Sequence, residues 1–207
     1  SGKQLVANAI WRLYHKVGDN QLNTFDCGTF PKELVSSELF GYKKGAFTGA
    51  VEDNPGIIRQ SDGKMLFLDE IGNLPLEGQH ALLRFLSDRE IRSIGSHRID
   101  KTDTQIIAAT NKDISDSTLF AQDLKDRFDE IVEMPSLIDR REDIPLLIDR
   151  FLNIYSKANN LSIPIILEKA LLDKLIAYDW PGNVRELEKW TSRVCRRFRG
   201  GTVSLGD

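Results

Sequence analysis

The sequence has little of what several protein classes depend on. Its two cysteines, Cys27 and Cys195, are too few for a disulfide framework or a zinc cluster, so we expect two buried thiols in a reducing cytoplasm. Its longest apolar runs, such as residues 65–68, are far shorter than the ~18 residues of a membrane span. With 41% hydrophobic residues and a formal net charge of only −3, the chain does not have the composition of a disordered protein. The small negative net charge also gives no electrostatic reason to expect nucleic-acid binding. We therefore expect a soluble chain with a substantial core and no membrane partner.

Predicted helices and strands alternate up to about residue 135. Apolar residues at three- or four-residue spacing predict a helix over residues 5–17, and Pro31 and Pro75 each precede a further helix. A continuous apolar run over residues 65–68 is typical of a buried central strand. Further strands are predicted at residues 23–26, 105–109 and 131–133. This alternation predicts a parallel α/β sheet.

The pattern after Pro135 is helical. Residues 141–159, 167–178 and 183–199 each show helical periodicity, and no strand pattern intervenes. We therefore predict an α/β domain over residues 1–135 and a small all-helical domain over residues 136–207.

Two adjacent carboxylates, Asp69 and Glu70, follow the predicted central strand. They are expected at the carboxyl edge of a parallel sheet, where open α/β folds bind ligands. In a nucleotide-hydrolysing site the first carboxylate holds Mg²⁺ through its waters, and the second positions or deprotonates the attacking water. A solvated strand end explains the same pair equally well, so other residues have to distinguish the two interpretations.

The chain begins with Ser1, Gly2, Lys3 and Gln4, directly before the first predicted helix. A phosphate-binding loop ends in this way, because backbone N–H groups and the helix dipole receive phosphates while the lysine reaches the terminal ones. Ser-Gly-Lys is also ordinary surface sequence, and Gln4 stands where the full motif has a hydroxyl residue. We interpret Ser1 as an internal position of a longer chain that holds the upstream glycine.

A glycine-rich, aperiodic stretch over residues 42–55 predicts an exposed loop. Its middle presents one aromatic and one hydroxyl side chain, Phe47 and Thr48, among small residues. This composition fits a contact with something outside the domain. A flexible hairpin without a partner is the plainer interpretation.

The motif Gly-Ala-Phe-Thr-Gly-Ala at residues 45–50 resembles a signature of the bacterial enhancer-binding proteins, the AAA+ ATPases that activate sigma-54 RNA polymerase. The similarity spans nearly the whole chain and includes motifs at residues 66–71, 106–111, 140–147 and 180–187. It implies a AAA+ P-loop NTPase core, with a parallel sheet flanked by helices, followed by a helical lid. It also implies ATP hydrolysis with Mg²⁺ by the intact parent; the present chain, lacking the first strand and most of the phosphate loop, is expected to be inactive.

The resemblance assigns roles to individual residues. For nucleotide and Mg²⁺ binding it implies Gly2, Lys3 and Gln4 of the Walker A loop, Asp69 and Glu70 as the Walker B pair, Asn111 as sensor I and Arg185 as sensor II. A surface arginine at a helix N-terminus is the alternative for Arg185. The implied sigma-54 contacts are Gly45, Ala46, Phe47, Thr48, Gly49 and Ala50, and residues 90–98 occupy the place of a second pore loop that supports them.

Three positions depart from the family pattern. Ala121 replaces the first of two arginines that act in trans on a neighbouring subunit's nucleotide, so only Arg127 remains. Asp26 stands where the family commonly has an asparagine that restrains the Walker B glutamate, and Ile138 replaces an arginine at the start of the lid. These changes bear on the rate of hydrolysis rather than on nucleotide binding.

The leading hypothesis is a ring-forming, ATP-driven remodeller of the sigma-54 RNA polymerase holoenzyme, assembled as a hexamer or heptamer. Ala121 and Asp26 leave open a hydrolysis-deficient nucleotide-binding or assembly module of the same fold. The motif at residues 45–50 disfavours a general AAA+ unfoldase or clamp-loader subunit. The resemblance implies DNA binding only through a domain outside this chain.

Overall fold

The computed structural model describes residues 2–14 and 22–206, which divide into one compact unit over Gly2–Val132 and a second from Glu133 onward. Each unit has its own hydrophobic core. The predicted end of the first helix, residues 15–17, lies outside the described residues. Within those two ranges, no helix is both long and apolar enough to cross a lipid bilayer.

The first unit is built on a parallel sheet. Its elements in chain order are α1 (Lys3–Tyr14), β1 (Asn23–Asp26), α2 (Lys32–Phe40), α3 (Ile57–Gln60), β2 (Met65–Asp69), a 3₁₀ turn (Ile71–Asn73), α4 (Leu76–Asp88), β3 (Glu90–Ile91), β4 (Asp100–Lys101), β5 (Gln105–Ala108) and α5 (Gln122–Lys125). The sheet order is β1-β2-β5 with all pairs parallel, and β3 and β4 form a separate antiparallel ribbon. The predicted α/β architecture is confirmed.

The central strand is β2, as its continuous apolar run predicts. Residues 65–68 are all buried, which requires that helices cover both faces of the strand. On the face that carries Leu66 and Leu68, the covering side chains include Val35 and Leu39 of α2, and Leu82 and Phe85 of α4. This packing fixes the carboxyl end of β2, and hence Asp69, relative to the neighbouring strands.

Two apolar segments of the first unit are exposed, contrary to what their composition suggests. Residues 131–133, predicted as a strand, form none, and the side chains of Ile131 and Val132 are 50% and 69% exposed. On α1, Leu5 and Leu13 are 69% and 84% exposed, and Ala7 is the buried residue. The strand prediction is wrong because a strand needs a hydrogen-bonding neighbour, and no described strand pairs with residues 131–133.

The second unit is mainly helical. It contains a 3₁₀ segment (Ile138–Asp143), α6 (Ile144–Ala158), β6 (Ile165–Leu167), α7 (Lys169–Ala177), α8 (Asn183–Arg197) and β7 (Gly201–Val203). The prediction that no strand occurs here is wrong, because β6 and β7 pair in parallel. Each has three residues, which is too short for a periodic pattern to be visible in sequence.

Candidate functional site

The carboxyl ends of β1, β2 and β5 lie at one edge of the sheet, and acidic side chains lie there at the ends of β1 and β2. Asp26 and Asp69 are partners in the parallel register, and Glu70 follows directly. The loop after β5 reaches the same place, since the backbone N–H of Asn111 donates to Glu70 Oε2 at 3.3 Å. The structure therefore brings together three residues that the sequence implicates separately: Asp69, Glu70 and Asn111.

Lys3, the first residue of α1, joins this edge. Its Nζ donates to the backbone carbonyl of Thr110, which directly precedes Asn111. Gly2 accepts a helical hydrogen bond from Val6 at 3.0 Å, and Gln4 is partly buried in the first turn. An ammonium group beside a helix N-terminus is suited to phosphate oxygens. Lys3 thus places positive charge beside the loop that carries Asn111.

Glu70 has a strained backbone. Its φ of 53° and ψ of 43° lie in the left-handed region, which costs a non-glycine residue about 1–2 kcal/mol. Three hydrogen bonds hold it there: from its own N–H to Asp69 Oδ1, from Asn73 N–H to its carbonyl, and from Ile71 N–H to Ala109. Strain of this kind persists where the surroundings enforce it and clusters at functional sites.

The charge at this edge is visible in the properties of a neighbouring thiol. Burial raises the pKa of Cys27 to about 12, and the carboxylates of Asp26 and Asp69 add to the shift. The thiol therefore stays protonated, and both cysteines are buried and free, as expected. Carboxylates gathered in this way are suited to binding a cation.

The donor set fits Mg²⁺ bound together with a nucleotide. In the described part of the chain, no group of three or more His, Cys, Asp and Glu side chains is arranged to hold a metal ion. Mg²⁺ does not need such a cage, because it is commonly held by one or two carboxylates, waters and substrate phosphates. Asp69 and Glu70, at the sheet edge where the Lys3 ammonium contacts the Thr110 carbonyl, match that requirement.

Gln79 fixes the start of α5 and is a residue that sequence analysis missed. Its side chain, 1% exposed, donates to the carbonyls of Leu74 and Leu119 at 3.0 Å each and accepts from the Ala121 N–H at 2.7 Å. The sequence does mark Gln79 in one way, because it is a polar residue within the apolar face of α4.

Arg127 follows α5; its side chain is exposed and forms no ion pair with any residue in the described ranges.

Arg185 belongs to the second unit, in the first turn of α8, where it is exposed. The turn before it is held by specific contacts. Asn183, with φ of 54°, accepts the Leu137 N–H at 2.7 Å, and Glu186 Oε2 accepts the Gly182 N–H at 2.8 Å. These bonds define the helix start that carries the arginine.

The GAFTGA loop, residues 45–50, stands on an ordered base. Tyr42 and Asn54 exchange two backbone hydrogen bonds of 2.8 and 2.9 Å, and Lys43 Nζ lies 2.6 Å from Asp53 Oδ2. The hydrogen bond from Lys43, together with one from the Lys44 backbone, lowers the pKa of Asp53, so this carboxyl group is ionised at neutral pH. A single antiparallel bridge therefore closes the base of the loop.

Residues 90–98 contact this loop. Lys43 N–H donates to the Ile94 carbonyl and Ile94 N–H donates to the Gly41 carbonyl, both at 2.9 Å. A Cβ placed on Gly95 would lie 2.8 Å from Ala46 Cβ, so the two loops pack closely. A change in the position of one loop therefore has to move the other.

Phe47 and Thr48 differ in exposure. The Phe47 ring packs edge-on against Tyr42, with centroids 5.0 Å apart and an interplanar angle of 62°. This contact leaves Phe47 partly buried, whereas Thr48 is exposed. The sequence predicts that both side chains are exposed to solvent. In the structure only Thr48 is fully exposed.

We expect Gly56→Ala to destabilise the base of the loop. Gly56 has φ of +79°, and a Cβ there would lie 2.3 Å from the Gly41 nitrogen. The left-handed backbone costs about 1–2 kcal/mol and overpacking about 1–3 kcal/mol, so the free energy of unfolding should fall by about 2–5 kcal/mol. The control is Gly63→Ala, where φ is +68° but no atom lies within 4 Å. Urea denaturation of both variants measures the difference; equal losses would contradict the close backbone contact.

Comparison with known proteins identifies related chains. A family model described as the sigma-54 interaction domain matches residues 1–134, and one described as the AAA+ ATPase lid domain matches residues 138–207. The transcriptional regulatory protein ZraR of Salmonella typhimurium is 41% identical over 208 residues, which cover 99% of this chain and 47% of ZraR. The DNA-binding transcriptional activator HyfR of Escherichia coli is 43% identical over 209 residues, covering 99% of this chain and 31% of HyfR. The chain thus spans less than half the length of either relative.

Solved structures agree with the fold. NtrX from Brucella abortus in complex with ATP matches with a TM-score of 0.82 and 30% identity, over 96% of this chain and 45% of NtrX. Its complex with ADP matches with a TM-score of 0.82 and 29% identity, over 95% of this chain and 43% of NtrX. The predicted AAA+ core and helical lid are confirmed by these matches. The chain belongs to the sigma-54 interaction domain family.

Proposed function

We propose that this chain is the ATP-hydrolysing part of a sigma-54-dependent transcriptional activator, and that its GAFTGA loop remodels the closed promoter complex of RNA polymerase. The observation that carries the proposal is the convergence of Lys3, Asp69, Glu70 and Asn111 at one sheet edge. The loop belongs to the same compact unit. The family match over residues 1–134 supports sigma-54 as the partner.

Each residue of the cluster has its own role in this proposal. Lys3 neutralises the terminal phosphates of ATP, and Asp69 holds Mg²⁺ through its waters. Mg²⁺, when bound, supplies further neutralisation of phosphate charge. Glu70 positions and deprotonates the attacking water, and the Asn111 side chain orients that water near the γ-phosphate.

Asp26 alters how Glu70 is restrained. An ionised aspartate can only accept hydrogen bonds, so it cannot donate to a glutamate as an asparagine amide does. Here Asp26 Oδ1 accepts from the Gly28 N–H at 2.7 Å, while Glu70 is bound by the Asn111 backbone. We therefore expect hydrolysis to be slow but real.

The proposal extends to assembly and partners. Arg127, exposed and without an ion pair among the described side chains, acts in trans within a hexameric or heptameric ring, and Arg185 is the sensor II residue of the lid. DNA binding belongs to a domain outside this chain, and the site of action is the cytoplasm, where RNA polymerase works.

A hydrolysis-deficient nucleotide-binding or assembly module is the second candidate. Ala121 cannot supply a trans-acting guanidinium, and Asp26 cannot restrain Glu70 by donating a hydrogen bond to it. Both substitutions favour a hydrolysis-deficient module. The two candidates differ in ATP turnover. We propose to measure it on the chain extended at its N-terminus by the segment that precedes the matched region in ZraR, here called the extended chain.

We expect Thr48→Ala to separate ATP hydrolysis from sigma-54 engagement. Thr48 is exposed in the GAFTGA loop and is not one of the residues at the sheet edge, so the variant should hydrolyse ATP at the parental rate and lose open-complex formation. Parallel ATPase and promoter-opening assays on the extended chain check this. Val51→Ala, another exposed position just outside the loop, should leave both activities unchanged. Normal promoter opening by Thr48→Ala would overturn the assignment of the loop.

A further inference from the structure

The turn after β2 and the loop after β5 are interlocked by three hydrogen bonds. These bonds run from Ile71 N–H to Ala109, from Asn111 N–H to Glu70 Oε2, and from Lys112 Nζ to the Gly72 carbonyl at 2.6 Å. The first joins two backbone groups, and the second joins the Asn111 backbone to the Glu70 carboxylate. The third depends on the side chain of Lys112.

Lys112 is fitted closely against Gly72. A Cβ on Gly72 would lie 2.7 Å from Thr110 Oγ1 and 3.0 Å from Lys112 Cδ, so the lysine stem and the glycine are in direct contact. Thr110 Oγ1 in turn accepts the Lys112 N–H at 3.1 Å. Gly72 is buried and Lys112 is partly buried. The lysine is therefore part of the contact between the turn after β2 and the loop after β5, which we call the joint, and is not a free surface charge.

The ammonium group of Lys112 has no carboxylate partner within the described ranges. Its contact is with a backbone carbonyl two residues after Glu70, whose backbone is held in the left-handed region. A hydrogen bond from a charged donor is stronger than one from a neutral donor. Such a bond at this point opposes relaxation of the turn that carries the strained glutamate.

We propose that Lys112 is a positioning residue for ATP hydrolysis, which keeps the Glu70 carboxylate and Asn111 in register through the Gly72 carbonyl. The inference rests on the proposed function, since it concerns the residues that would orient the attacking water. Lys112 itself touches neither water nor nucleotide in this proposal. Its effect should therefore fall on the rate of the chemical step and not on ATP affinity.

The first test compares Lys112→Met with Lys112→Arg in the extended chain. Methionine keeps an unbranched stem against Gly72 but cannot donate, so kcat should fall about 10- to 100-fold, as small misplacements of catalytic groups do. The dissociation constant for ATP should change less than about threefold, because ground-state contacts are retained. Arginine retains a charged donor and should recover most of kcat. The exposed Lys169→Met is the matched control and should behave as the parent.

Gly72→Ala perturbs the same joint from the other side. The added methyl group has to displace Thr110 or Lys112, so kcat should fall while Lys112 itself is intact. A loss of ATP affinity equal to the loss of kcat in Lys112→Met, or no recovery in Lys112→Arg, would overturn the proposal.

Amide hydrogen exchange provides a readout that does not need turnover. The Ile71 and Asn111 N–H groups both donate across the joint, so Lys112→Met should make both exchange faster in the 207-residue chain without the extension. If the extended parent hydrolyses no ATP, the proposed function fails, and the exchange rates still decide about Lys112. Unchanged protection of both amides would overturn the positioning role.

Discussion

Glu70→Gln is expected to eliminate measurable ATP turnover in the extended chain while ATP binding is retained. Glutamine has the size of glutamate and keeps an Oε acceptor for the Asn111 N–H, so the joint between the two loops is preserved. It cannot accept the proton of the attacking water, and a positioned general base contributes about 10²- to 10⁴-fold to the rate. Steady-state ATPase assays and calorimetric titration with ATP measure the two properties.

Asp69→Asn is the matched variant for metal binding. Asparagine keeps Oδ1 as an acceptor for the Glu70 N–H but removes the charge that Mg²⁺ requires. ATP affinity should therefore lose its dependence on Mg²⁺, whereas in Glu70→Gln that dependence should remain. Near-parental hydrolysis by both variants would contradict the assignment of the sheet edge as the ATPase site.

The sequence predicts the central sheet and the grouping of its acids because both depend on local patterns. The apolar run over residues 65–68 needs cover on two faces, which makes β2 central and puts Asp69 at the ligand-binding edge. The resemblance to the enhancer-binding proteins correctly indicates the fold and the family. The central strand and the position of its carboxylates could be predicted because each is encoded within a few consecutive residues.

Features that depend on contacts distant in sequence were not predictable. Lys112 bonds to Gly72, and Gln79 bonds to Ala121, each across 40 or more residues. The place of Gln79 on the apolar face of α4 marks it as unusual but does not reveal its partner, and nothing in the pattern marks Lys112. Residues 131–133 have the composition of a strand but no described neighbour to pair with. The contact between Phe47 and Tyr42 is close in sequence but was missed as well, because an aromatic contact across a turn does not show in the pattern of residues.

Arg127→Ala is expected to lower ATP turnover by about 10³- to 10⁵-fold, or about 4–7 kcal/mol, if it is the sole trans-acting arginine. The guanidinium would neutralise charge that develops on the transferred phosphoryl group, and Ala121 cannot replace it. ATPase assays at concentrations that permit ring assembly test this. The control is Arg193→Ala, which removes another exposed arginine and should have no effect on turnover.

Mixing two inactive variants shows whether Arg127 acts across a subunit interface. An Arg127→Ala subunit retains Glu70, and a Glu70→Gln subunit retains Arg127, so a mixed ring contains interfaces at which both groups are present. Turnover should therefore reappear on mixing and reach its maximum near equal proportions, although each variant alone is inactive. An arginine that acts within its own subunit would give no recovery, since no single subunit then has both groups. Turnover insensitive to Arg127→Ala would show that another residue performs this role, and Ala121→Arg would then test whether that position faces the neighbouring nucleotide.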